Sequence, residues 1–150
     1  MQVAAYSAIR MKDLRNSIAG HLAHGQGQGQ RSPLDGIIVM SNSDITDIVF
    51  DAITSQNRTS LLDAYTVDLL YVINAALNAS VNIAISSPVG ALLEGPLGAP
   101  DSVRFHDKKE YVRSYTAATK AAAERMGVVF IDMQTNTRAA IPFYRMYYSG

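Results

Sequence analysis

The chain has no cysteine, which excludes disulfides, thiolate metal sites and a cysteine nucleophile. Neither sign of charge is in excess: 13 Lys and Arg balance 13 Asp and Glu. The summed field therefore gives no steering toward nucleic acid or an anionic membrane. No uninterrupted apolar run approaches the roughly 20 residues of a membrane span. The opening MQVAAYSAIRMKDLRNSI lacks a basic leader followed by an apolar core and a cleavage site, so it does not read as a signal peptide. A cytoplasmic protein with no nucleic-acid partner and no membrane span is the expectation. Histidine is sparse as well: the three present are scattered and show no ligand spacing, so no metal is expected. The GQGQGQ stretch at 25–30 follows a helical pattern rather than a strand, which removes the dinucleotide fingerprint and the P-loop. No cofactor is expected.

What is present fits one domain over residues 1–150, a length that buries about two thirds of the surface of the unfolded chain. Ile9, Met11, Leu14, Ile18 and Leu22 recur at three- and four-residue steps, which predicts an amphipathic helix over 8–23 ended by Gly25. The apolar run at 36–41 predicts a strand covered on both faces, as in a parallel sheet. Leu62, Tyr65, Leu69, Ile73, Ala76 and Leu77 predict a helix over 61–79, and VNIAIS at 81–86 a second strand. Residues 88–102, with three Pro and three Gly, read as a long irregular loop. Tyr111, Tyr115, Ala118, Ala122 and Met126 mark a third helix that stops at Gly127, where a left-handed residue is needed, before a third strand at 128–133. Helix, strand, helix, strand, helix, strand implies an α/β fold with a parallel sheet and helices on both faces.

In such sheets ligands gather at the carboxyl ends of the strands. Each strand here runs into polar residues: Ser41, Asn42, Ser43 and Asp44 after the first, Ser86 and Ser87 after the second, Asp132 in the third. Small polar residues at those positions also cap the helix that follows, so a turn and a binding site both remain open. The histidines add little. His21 and His24 suit a helix C-terminus. His106, beside Asp107, reads as a loop residue next to a helix N-cap, with Asp107 and Glu110 at capping-box spacing. The Asn-x-Ser/Thr sequons at Asn57 and Asn78 matter only in a secreted protein. The tyrosines at 65, 71, 111 and 115 fall on helices and read as packing residues.

Several of these segments together resemble the central part of an SGNH/GDSL-type serine hydrolase. VAAYSAIRMKDL at 3–14 is similar to the family's Asn-x-Ala-x-x-Gly-x-x-x-x-Asp-Leu block, with Ala8 at the glycine and Asp13 and Leu14 at the Asp-Leu pair. IVMSNSDI at 38–45 resembles the strand that ends in Gly-x-Asn-Asp, with Ser41, Ser43 and Asp44 at the glycine, asparagine and aspartate. ISSPVG at 85–90, AAAERMGVVFIDM at 121–133 and FYRMYYSG at 143–150 resemble later segments. The resemblance implies a three-layer α/β/α, flavodoxin-like fold and hydrolysis of an ester, lipid or acetyl-ester bond without a cofactor. It implies oxyanion-side roles for Ala8 and Ser43, and a substrate-side loop containing Ser41, Asn42, Asp44 and Ser87. Ala8 keeps a backbone donor but adds a methyl, and the Ser43 hydroxyl is shorter than an asparagine amide.

The family's Gly-Asp-Ser and Asp-x-x-His are not found in the 150 residues. The chain thus reads as the middle of such a domain, incomplete and inactive alone, with those motifs expected upstream of Met1 and just after Gly150. In the family's sheet order the strand at 36–41 would then be an apolar edge, and self-association through that edge is expected. Two other readings stand beside this one: a non-catalytic α/β module binding a small molecule or a protein partner, and a flavodoxin-like nucleotide-binding domain supported by strand order alone.

Overall fold

The computed structural model describes residues 10–24, 36–40, 44, 55–87 and 103–133. Helix α1 is Met11–His24, strand β1 Gly36–Met40, helix α2 Ser55–Asn78, strand β2 Asn82–Ser86, helix α3 Val103–Met126 and strand β3 Val129–Ile131. The strands form a parallel sheet in the order β1-β2-β3. The class is therefore α/β with a parallel sheet.

Each crossover steps to the adjacent strand in the same direction. Under the right-handed rule that brings both connecting helices to one face. The contacts agree: α2 and α3 pack on each other and both reach β2, while α1 lies against α2. The register places Ile37 beside Ile83 and Val39 beside Ile85, with Phe130 next in line. Ile83, Ile85 and Val39 are buried, and Ile37 and Phe130 pack against the core.

The opposite face is different. Ile38 is 67% exposed, Met40 47% and Val129 64%. The expectation of a β1 covered on both faces is thus corrected, and among the described residues the helices occupy one face of the sheet rather than two. An unbroken apolar run is compatible with both arrangements, because it carries no alternation to tell a covered face from an open one.

Each helix presents a stripe to this core. On α1 it is Met11, Ile18 and Leu22; on α2 Tyr65, Leu69, Val72, Ile73 and Ala76; on α3 Tyr111, Val112, Tyr115, Ala122 and Ala123. Thr59–Asn78 is long and apolar enough, by length and composition, to cross a membrane. Tyr65, Leu69, Val72, Ile73 and Ala76 of that stretch are buried together with Asp68, while Val67, Tyr71 and Leu77 are exposed. A polar clasp fixes α1 on α2: Arg15 Nη1 donates to Asp68 Oδ1 at 2.6 Å, and the same guanidinium lies 4.9 Å from the centre of the Tyr71 ring.

Helices α2 and α3 end in the same way. Val81 N–H donates to the Ala76 carbonyl and Ser80 N–H to that of Leu77; Val128 N–H donates to Ala123 and Gly127 N–H to Glu124. Both are Schellman closures with a left-handed residue outside the helix, Gly127 at φ 67° and Ser80 at φ 57°. A third correction concerns α3, which begins at Val103. His106 and Asp107 therefore lie inside its first turns rather than in a loop leading to an N-cap. The caps yield a prediction: Ser80→Gly raises the urea-denaturation stability by about 0.5–1 kcal/mol, and Gly127→Ala lowers it by roughly 1 kcal/mol, because only the serine bears a side chain in a left-handed position.

Candidate functional site

The carboxyl ends of the strands meet the N-terminal end of α1 through Asp44. Its Oδ1 and Oδ2 both lie 3.0 Å from Met11 N, so one backbone N–H of the first helical turn is shared by two carboxylate oxygens. The first turn of a helix carries N–H groups with no partner inside the helix, and a carboxylate satisfies them and suits the positive end of the dipole. Here the acceptor comes from 33 residues further along the chain. Burial nevertheless pushes the Asp44 carboxyl up to about 6, against the opposing pull of the Met11 N–H, its own backbone N–H and the Arg10 charge.

Beside Asp44 lies a buried group of hydroxyls between α2 and α3. The rings of Tyr65 and Tyr115 are 4.6 Å apart and those of Tyr111 and Tyr115 5.1 Å apart. Thr119 Oγ1 donates to the Tyr115 carbonyl at 2.7 Å, which leaves its oxygen to accept from Tyr65 Oη at 2.8 Å. The Tyr115 hydroxyl is pushed far above its ordinary value, first by burial, then by Tyr111 and then by the Asp44 charge. It stays protonated and neutral throughout the range in which Asp44 titrates.

At the end of β2, Ser86 and Ser87 are both buried. The Ser86 hydroxyl donates to the Ser87 carbonyl at 3.1 Å, and Ser87 N–H donates to the Ile131 carbonyl at 3.0 Å, extending the sheet by one rung. Asp132, just past β3, is exposed.

Of the substrate-side candidates, Asp44 is thus engaged with α1 and Ser87 with the sheet. Ala8, Ser41, Asn42 and Ser43 lie outside the described residues. Tyr65, Tyr111 and Tyr115 are core residues, and Tyr71 is half exposed beneath Arg15. Ser17 Oγ and His21 Nε2 are 3.1 Å apart, but the serine hydroxyl also reaches the Asp13 carbonyl at 2.9 Å, so the pair is an ordinary one-turn contact on α1. Among the described residues no group of His, Asp and Glu is arranged to hold a metal ion. A shallow open groove of about 180 Å³ lies between α2 and α3, lined by Thr59, Leu62, Glu110, Tyr111 and Ser114. It is separate from Asp44, and its carboxylate is paired with Arg113.

The arrangement supplies one carboxyl able to exchange a proton near neutral pH at the end of a parallel sheet, and a set of neutral hydroxyls behind it. Sequence reasoning singled out Asp44 by position but missed its partner, because nothing near Met11 signals an acceptor so distant in the chain. The Arg15–Asp68 pair was missed for the same reason. No known protein family, curated protein or solved structure matches the chain.

The hydroxyl pair is testable by a double-mutant cycle. Tyr65→Phe is expected to cost about 1 kcal/mol, since Thr119 keeps its bond to the Tyr115 carbonyl. Thr119→Val removes both the acceptor and the donor and is expected to cost roughly 1–3 kcal/mol. The double variant should cost less than the sum of the two, as read from urea-denaturation midpoints.

Proposed function

We propose that the chain is the central part of an SGNH-type ester-hydrolase domain, acting in its complete form on ester, lipid or acetyl-ester bonds without a cofactor. The observation that carries this reading is the bond from Met11 N–H to Asp44. It ties the start of α1 to Asp44, four residues past the end of β1, and these two positions lie in the segments whose sequences resemble the family's oxyanion-side blocks. Ala8 lies three residues before Met11 and Ser43 one residue before Asp44. Acyl transfer by serine needs donors of this kind where the carbonyl oxygen gains charge, and a base-activated hydroxyl opposite them. In this reading Ala8 and Ser43 are oxyanion-side residues, while the nucleophile and base come from Gly-Asp-Ser and Asp-x-x-His segments outside these 150 residues.

The 150-residue chain is expected to be unlabelled by a serine-directed fluorophosphonate probe. A product extended to include both motifs is expected to be labelled at the serine of Gly-Asp-Ser. In that form Ser43→Asn, which restores the longer donor, should raise kcat/KM for a small ester. An extended product that carries both motifs and takes no label would overturn the reading.

A second reading is a non-catalytic α/β module that binds a small molecule or a protein partner; the incomplete-domain reading itself implies self-association through the edge of β1. Among the described residues β1 is paired on one side only, by β2, and Ile38 on it is 67% exposed. Apolar, unpaired edges recruit strands from other chains. Sedimentation is expected to show concentration-dependent association that Ile38→Lys weakens with little loss of stability, since that side chain is already in water. A sharply melting monomer at all concentrations would count against the incomplete-domain reading.

A further inference from the structure

We draw no further inference here: the strongest candidate, the apolar face of the sheet bearing Ile38 and Met40 of β1 and Val129 of β3, is exposed, and nothing in the structure shows what covers it.

Discussion

The burial of one face of β2 is the interaction on which the rest of this structure depends. Ile83 and Ile85 point into the layer formed by Leu69, Val72, Ile73 and Ala76 of α2 and by Val112, Ala122 and Ala123 of α3. Fully burying an aliphatic side chain of this size contributes about 1.5–3 kcal/mol, and the contributions fall on the one strand that both long helices contact. β1 and β3 then add to its two sides by backbone pairing, and α1 adds to the outer side of α2. Polar bonds set position where the apolar contacts do not. Arg15 with Asp68 fixes α1 on α2, Tyr65 with Thr119 fixes α2 on α3, and Asp44 with Met11 fixes the start of α1 at the carboxyl end of the sheet.

Much of this was legible in the sequence because it is periodic. The stripes of α1, α2 and α3 are spaced at three and four residues, and the strands are short apolar runs between polar ends. Gly127 announced the end of α3, since glycine is the usual residue at a left-handed closure. Ser80 closes α2 with the same bonds and gave no such sign, because serine there is conformationally costly and is held by the bonds around it. The start of α3 was misplaced for a related reason: with Asp107 available as a cap, the local pattern favoured a later beginning than Val103.

The exposure of the second sheet face could not be read from composition. Ile37, Ile38, Val39 and Met40 are all apolar, and alternation between buried and exposed positions becomes visible only once the helices are seen on one side. The candidate site was legible in its position but not in its bonds. Ser86, Ser87 and Asp44 were singled out because they follow strands, yet the serines are taken up by the sheet and Asp44 by a helix 33 residues earlier. Long-range polar partners leave no local mark, which is why the most informative bond of the site appeared only in three dimensions.

The functional account joins this bond to the resemblance of the flanking segments. In the proposed reading, the bond joins Met11 and Asp44, which lie in the two stretches whose sequences resemble the family's oxyanion-side blocks. The edge of β1, unpaired among the described residues, fits the same reading, since a further strand would pair it. The measurement that tests this most directly is the sequence of the transcript across both ends of the reading frame. The account predicts an in-frame Gly-Asp-Ser upstream of Met1 and an Asp-x-x-His immediately after Gly150. A transcript in which neither motif is in frame with these 150 residues would contradict it.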